Sequence, residues 1–105
     1  MNPGRGILIA GNWKMNHGAK STADFAAKFK ATWNFALSEK TRRALAGPRL
    51  GALIFPPFLS LETARREFMG TPVGIGAQNV HFEEKGAFTG EISGPMLKEI
   101  GIATT

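Results

Sequence analysis

The sequence predicts an α/β fold whose strands run parallel. Short apolar runs alternate with amphipathic helical segments, and the apolar runs are continuous rather than alternating with polar residues. A repeated order of strand, helix and strand requires crossover connections, which place the strands parallel in one sheet. With 105 residues, 43% hydrophobic and 20% charged, the chain has the composition of a small globular protein, and we expect residues 1–105 to form a single domain.

The first unit is predicted to be a strand followed by a long helix. The run over residues 7–12 reads ILIAGN, which is typical of a strand buried on both faces. Ser21 with Asp24 three residues later resembles a capping box, so we place the start of the helix at Ser21. The helix then presents an apolar stripe at helical spacing, formed by Phe25, Phe29, Trp33 and Ala36.

A short helix and a second strand follow. The helix is predicted from Ser38 to Ala46, and Gly47-Pro48 ends it because this pair does not continue a helix. The second strand covers residues 50–55 and reads LGALIF. Pro56-Pro57 ends this strand, since proline has no backbone N–H to donate to a neighbouring strand.

A helix, a third strand, a long loop and another short helix follow the second strand. Ser60 is the expected N-cap of a helix whose apolar side comprises Leu61, Ala64 and Phe68. A strand is predicted from Val73 to Gln78, and residues 79–93 then form a long loop rich in glycine and charge. Ser93 is expected to cap another short helix. Residues 101–105 read GIATT and are interpreted as the start of a fourth strand.

Composition excludes several classes of site. The chain has no cysteine, so it holds neither a disulfide nor a thiolate metal site. Its two histidines, His17 and His81, are far apart and the carboxylates are scattered, so we expect no metal site and no cofactor. The apolar run near the N-terminus is too short for a signal peptide or a membrane span, which predicts a soluble, cytoplasmic protein.

The net charge of +5 is concentrated in one segment. Residues 20–49 contain seven basic and two acidic side chains, and a basic stretch of this kind attracts nucleic acid or other polyanions. A solvated helix face is the favoured interpretation, because the charges are spread along helical periods without interleaved aromatic residues for base stacking. Polyanion binding through residues 20–49 is therefore kept only as the alternative function.

Three motifs carry a more specific signal. GNWKMN follows the first strand, PPF follows the second, and GAQNVHFEEKGAFTGEIS follows the third. In this order the motifs closely resemble the triosephosphate isomerase family, over about residues 7–100. The resemblance implies a (β/α) TIM barrel, which typically has roughly 250 residues. We therefore expect a partial barrel of about three βα units with the start of a fourth strand, completed by oligomerisation.

The resemblance also implies an activity. The family interconverts dihydroxyacetone phosphate and glyceraldehyde 3-phosphate in glycolysis and gluconeogenesis, without a cofactor. It is itself the reference case for a carboxylate base acting with a neutral histidine. Both groups would follow the last residue of this sequence, so we expect the chain to be inactive alone. Triose phosphate would then bind only where a complete site is assembled.

The resemblance assigns substrate-binding positions to Lys14 and Asn12. The matching lysine helps to bind the substrate phosphate and stabilises negative charge on an enediolate, while the asparagine amide donates to a substrate oxygen. Spacing alone fits a solvated lysine at a strand end and an asparagine that satisfies the local backbone of a turn.

The resemblance places an oligomer interface in the long loop. Thr89 matches a residue that reaches into the site of a neighbouring subunit, and Phe88 lies beside it. Gln78 and Asn79 match positions that support this loop and the site. Glu91 matches a position that pairs with an arginine beyond the present sequence. Because three strands cannot close a barrel, the open sheet edges also predict a homo-oligomer.

Overall fold

A computed structural model describes residues 5–105 and contains one parallel sheet of three strands in the order β1-β2-β3. Residues 1–4 lie outside the described residues. They belong to the N-terminal stretch for which the sequence predicts no signal peptide. The elements are β1 (Ile7–Asn12), α1 (Ala19–Ala36), α2 (Glu39–Ala46), β2 (Leu50–Phe55), a 3₁₀ turn (Phe58–Ser60), α3 (Leu61–Glu67), β3 (Val73–Ile75) and α4 (Gly94–Glu99). This order is the predicted α/β alternation of a partial barrel.

The strand register decides which side chains face the helices. β1 pairs with β2 from Ile7 opposite Leu50 to Asn12 opposite Phe55, and β2 pairs with β3 from Ala52 opposite Val73 to Ile54 opposite Ile75. Side chains of successive residues point to opposite faces of a strand. Asn12 and Phe55 therefore belong to the face opposite the one that carries Ile54 and Ile75.

The helices bury one face of the sheet in two clusters. In the first, Ala26 of α1 and Ala64 of α3 pack with Phe68, and the partly buried Ile54, Val73 and Ile75 pack against them. The second cluster joins α3 and α4 to the segments that follow β3 and α4, through Leu61, Ala77, Leu97 and Ile102. On the opposite face, large side chains lie across glycines of the neighbouring segment: Leu8 over Gly51, Leu53 over Gly74, and Phe55 over Gly76, which directly follows β3.

Two predicted caps are confirmed, one is right in position only, and one is wrong. Ser38 and Ser93 accept the backbone N–H groups of Thr41 and Met96, as helix N-caps do. Ser21 lies inside α1, which begins at Ala19 after Gly18, and its hydroxyl donates back to the Gly18 carbonyl. Ser60 occupies the N-cap position of α3, as predicted, but its side chain accepts no backbone N–H there, and its hydroxyl donates instead to the His17 carbonyl.

The third strand is shorter than the sequence predicts, and the predicted start of a fourth strand is not formed in the described residues. β3 ends at Ile75 rather than Gln78, since the Ala77 N–H turns away to donate to the Thr104 carbonyl. Residues 101–105 form no strand, although this one hydrogen bond places them beside the segment that follows β3. Across residues 5–105, no helix combines the length and the apolar character needed to cross a membrane.

Candidate functional site

The carboxyl ends of β1 and β2 meet at the side chain of Gln78. Its amide Nε2 donates to the backbone carbonyl of Lys14 at 2.7 Å and to that of Phe55 at 2.7 Å. The Phe55 carbonyl also accepts the N–H of Trp13 at 3.1 Å. One side chain from the segment after β3 therefore links the residues that follow β1 to the end of β2. We call residues 13–17, which lie between β1 and the start of α1, the Lys14 segment.

The backbone of Lys14 adopts a left-handed conformation with φ of 55°. For a residue other than glycine this conformation costs about 1–2 kcal/mol, and it persists only where surrounding contacts enforce it. Asn12 provides one such contact, because its Oδ1 accepts the Lys14 N–H at 2.8 Å.

Asn12 thus satisfies the local backbone of a turn, as its position in the sequence suggests, but it uses only the oxygen of its side-chain amide to do so. The Oδ1 atom is engaged with the backbone, whereas Nδ2 makes no hydrogen bond within the described part of the chain. Because an amide NH₂ group offers two donors, Asn12 retains the capacity to donate to a ligand. The turn role and the ligand role are therefore compatible.

The other end of the Lys14 segment is held by a residue from the second βα unit. His17 is also left-handed, with φ of 72°, and its carbonyl accepts the Ser60 hydroxyl at 2.6 Å. Within the segment, Asn16 Nδ2 donates to the Trp13 carbonyl at 2.8 Å, and the His17 ring lies 4.8 Å from that of Trp13. The segment is fixed at both ends by side chains from elsewhere in the chain.

The electrostatics at this end of the sheet favour an anion. The side chain of Lys14 is exposed, and no carboxylate among residues 5–105 forms an ion pair with its ammonium. An open depression of about 300 Å³ lies close by, lined by Asn12, Phe55, Ala77, Gln78 and Thr105. Lys14 is outside this lining, so the depression and the ammonium are neighbouring features rather than one closed pocket.

The long loop over residues 79–93 is closed at its base by His81. The His81 N–H donates to the Ile92 carbonyl at 2.7 Å, and its Nδ1 accepts the Glu83 N–H at 3.0 Å. The imidazole also lies between aromatic neighbours, with ring centroids 4.5 Å from Phe82 and 4.5 Å from Phe88. These contacts give His81 a structural role in the loop.

The tip of this loop presents Thr89 to solvent. The Glu91 N–H donates to the Phe88 carbonyl at 3.0 Å, and Gly90 adopts φ of 88°, so residues 88–91 form a tight turn with Thr89 at its corner. The Phe88 side chain is 43% exposed beside it. Asn79 makes only a local bond, from its Oδ1 to the Val80 N–H, and does not reach the Lys14 segment.

The structure therefore brings together some of the candidate residues. Asn12, Lys14 and Gln78 are joined by hydrogen bonds, whereas Phe88 and Thr89 lie on a separate loop with no hydrogen bond to them. Ser60 was predicted as a helix cap, and its bond to the Lys14 segment was missed. A serine before a helix is a good cap by local pattern, and no local signal distinguishes a bond to a residue so distant in sequence.

Among residues 5–105, some cations of the basic segment pair with carboxylates, whereas Lys20, Lys28 and Lys40 form no ion pair there. In the described range, no group of three or more histidine and carboxylate side chains is placed to hold a metal ion. In the basic segment, Arg42 and Arg43 lie 3.5 and 3.3 Å from Glu39, and Lys30 lies 3.8 Å from Glu67. This local pairing does not favour the polyanion alternative.

Comparison with known proteins gives one consistent result. The sequence model of the family described as triosephosphate isomerase matches residues 7–105. Triosephosphate isomerase of Aquifex aeolicus (strain VF5) is 46% identical over 94 residues, which cover 90% of this chain and 34% of that protein. The enzyme of Synechococcus sp. (strain JA-3-3Ab) is 42% identical over 98 residues, covering 93% of this chain and 36% of that protein. The chain spans about a third of the length of these curated relatives.

Proposed function

Because the chain belongs to the triosephosphate isomerase family, we propose that residues 7–105 supply the part of an isomerase site that receives the anionic end of the substrate. The observation that carries the proposal is the Lys14 segment. It holds an ammonium without a carboxylate partner in a strained backbone, next to an amide nitrogen of Asn12 with no bond in the described chain.

In the proposed reaction, dihydroxyacetone phosphate and glyceraldehyde 3-phosphate interconvert by proton transfer through an enediolate. Lys14 would attract the substrate phosphate and stabilise the negative charge that develops on the enediolate oxygen. A cation held in position before the reaction is effective, because it does not have to reorganise as that charge appears. The Nδ2 group of Asn12 would donate a hydrogen bond to a substrate oxygen.

The proposed site needs further groups for turnover. The family uses a carboxylate base and a neutral histidine, and it is a well-known example of this pair of catalytic groups. We expect both to come from the part of the relatives that this chain does not cover. A general acid or base typically contributes about 10²–10⁴-fold to a rate, so a chain without them should show no measurable turnover.

A coupled isomerase assay tests this proposal. The chain would be assayed alone and after mixing with the complementary part of the Aquifex aeolicus enzyme. This complementary part is the region of that enzyme outside the match with the present chain. We expect activity only in the mixture. Lys14→Ala should lower that activity by about 10²-fold or more, the usual effect of removing one preorganised group that stabilises the transition state.

Lys20→Ala is the matched control. Lys20 is an exposed lysine in the first turn of α1 and forms no ion pair in the described chain, so its removal should leave the rate unchanged. Turnover by the chain alone would contradict the need for further groups. Equal activity of the Lys14→Ala and unmodified mixtures would remove Lys14 from the site.

We further propose that the tip of loop 79–93 contacts a second copy of the chain. The turn at residues 88–91 presents Thr89 on a loop whose base is fixed by His81, so it offers a preformed protrusion. Thr89→Lys should shift the oligomer toward lower mass in light scattering. Glu62→Lys, at an exposed position in α3 outside the loop, should leave the mass unchanged. If both substitutions lowered the oligomer mass to a similar extent, the added charge rather than the loop tip would be responsible.

A further inference from the structure

We propose that Ser60 is a positioning residue for Lys14. Its buried hydroxyl donates to the carbonyl of His17 and thereby holds the Lys14 segment in the geometry that presents the ammonium. The inference rests on the proposed function of Lys14 and extends it to the second βα unit, which has no direct contact with the anionic substrate in that proposal.

The surroundings of Ser60 make its hydroxyl a rigid donor. The residue has 0% exposure, and its N–H donates to the Pro57 carbonyl at 2.9 Å. Pro56 is also fully buried, and each proline ring fixes its own backbone φ. The hydroxyl is therefore presented from a turn that has little freedom to move, and 2.6 Å is a short distance for a hydroxyl hydrogen bond.

The acceptor, His17, has a backbone conformation that other contacts must stabilise. His17 is left-handed, as is Lys14 three positions earlier, and both conformations are costly for residues with a side chain. At the Lys14 end, Asn12 and Gln78 hold the backbone. At the His17 end, Ser60 is the side chain that binds the backbone, so its removal leaves that end held by the ring contacts of His17 and by the start of α1.

The expected defect is one of position rather than of folding. His17 is an exposed residue, so we expect water to reach its carbonyl in the variant and the fold to be retained. The segment then samples other backbone conformations, and the ammonium leaves its productive position for part of the time. Displacement of a positioned group by about 1 Å is enough to lower a rate by roughly 10²-fold.

The test compares Ser60→Ala with Ser93→Ala in the full 105-residue chain. Ser93 is a second buried serine, at 5% exposure, whose hydroxyl caps α4 and has no bond to the Lys14 segment. NMR would follow hydrogen exchange of the Trp13 and Lys14 amides, which are hydrogen-bonded in the described chain. The affinity for dihydroxyacetone phosphate would be measured in the mixture with the complementary part of the Aquifex aeolicus enzyme. We expect Ser60→Ala to speed exchange and to weaken affinity by about fivefold to tenfold each, the factor equivalent to one neutral hydrogen bond. Ser93→Ala should change neither.

The outcomes separate the two proposals. Unchanged exchange in folded Ser60→Ala, or the same change in Ser93→Ala, would overturn the role of Ser60. Absence of dihydroxyacetone phosphate binding by the unmodified mixture would count against Lys14 as a substrate ligand, and the exchange data would still decide whether Ser60 positions the segment. If Ser60→Ala does not fold, the bond from Ser60 to His17 is tested in the unmodified chain instead. Protection of the Ser60 hydroxyl proton from exchange supports the bond, and exchange at the rate of a free serine hydroxyl overturns it.

Discussion

At the scale of single residues, backbone strain coincides with the candidate site. In residues 5–105 the non-glycine residues with positive φ are Lys14 and His17, and both belong to the Lys14 segment. Such conformations tend to occur where function requires a particular geometry, because stability alone would select glycine there. The side chains of Asn12, Gln78 and Ser60 are the contacts that maintain the strain.

This strain predicts an unusual ranking of substitutions at Lys14. Lys14→Gly and Lys14→Ala both remove the ammonium, but only glycine relieves the left-handed conformation, which costs about 1–2 kcal/mol. After the higher unfolded-state entropy of glycine is subtracted, Lys14→Gly should exceed Lys14→Ala in free energy of unfolding by about 0.5–1 kcal/mol. Urea unfolding followed by circular dichroism measures the difference.

The same pair of substitutions at Lys20 is the control for this ranking. Lys20 lies in α1, where glycine is less favourable than alanine by about 1 kcal/mol, so the order of stability should be reversed. If alanine were the more stable residue at both positions, Lys14 would not carry backbone strain in solution.

At the scale of elements, the observed helix caps predict which serines stabilise the fold. Ser38 and Ser93 accept the N–H of the third residue after them, and replacement of such a cap by alanine costs about 1 kcal/mol. Ser38→Ala and Ser93→Ala should each lower the free energy of unfolding by about this amount. Ser21→Ala should leave it nearly unchanged, since Ser21 lies within α1 and alanine has the higher helix propensity.

Chemical denaturation of the three variants measures these effects under one set of conditions. A loss for Ser21→Ala equal to that for Ser38→Ala would restore Ser21 as the cap that the local pattern predicted. It would also place the start of α1 two residues after Ala19, at Ser21 rather than at the observed position.

The elements also show where prediction from sequence stops. β1, β2 and α2 follow from continuous apolar runs, Pro56-Pro57 and the Ser38 cap, which are local signals. The structure confirms their positions, but β1 is exposed rather than buried on both faces as its apolar run predicts. The start of α1 was missed, and the segment before it is held by the Ser60 bond to His17, between residues 43 positions apart. The two bonds of Gln78 were equally hidden, because they depend on where strand ends meet in space. The motif located Asn12 and Lys14, but only the fold reveals what holds them.

At the scale of the whole molecule, the sheet leaves apolar surface uncovered. The side chains of Ile7, Leu8 and Ile9 in β1 are 64%, 58% and 61% exposed, although they alternate between the two faces of the strand. The radius of gyration is 15.4 Å, whereas a compact domain of this length has about 13 Å. β1 is thus an edge strand with apolar side chains on both faces, the kind of edge that pairs with other chains.

This exposure predicts that the chain self-associates through β1. Light scattering should give a multiple of the 11.3 kDa chain mass, and Leu8→Lys should weaken association by about tenfold or more, since burial of a large apolar side chain contributes about 1.5–3 kcal/mol. Leu8 is already more than half exposed, so lysine there should alter the folded monomer little, as circular dichroism would verify. Phe35→Lys is the control, because Phe35 is 90% exposed near the end of α1, away from the sheet. Loss of mass in both variants would indicate association through general hydrophobicity, and a monomeric unmodified chain would show that the open edge of β1 is tolerated in water.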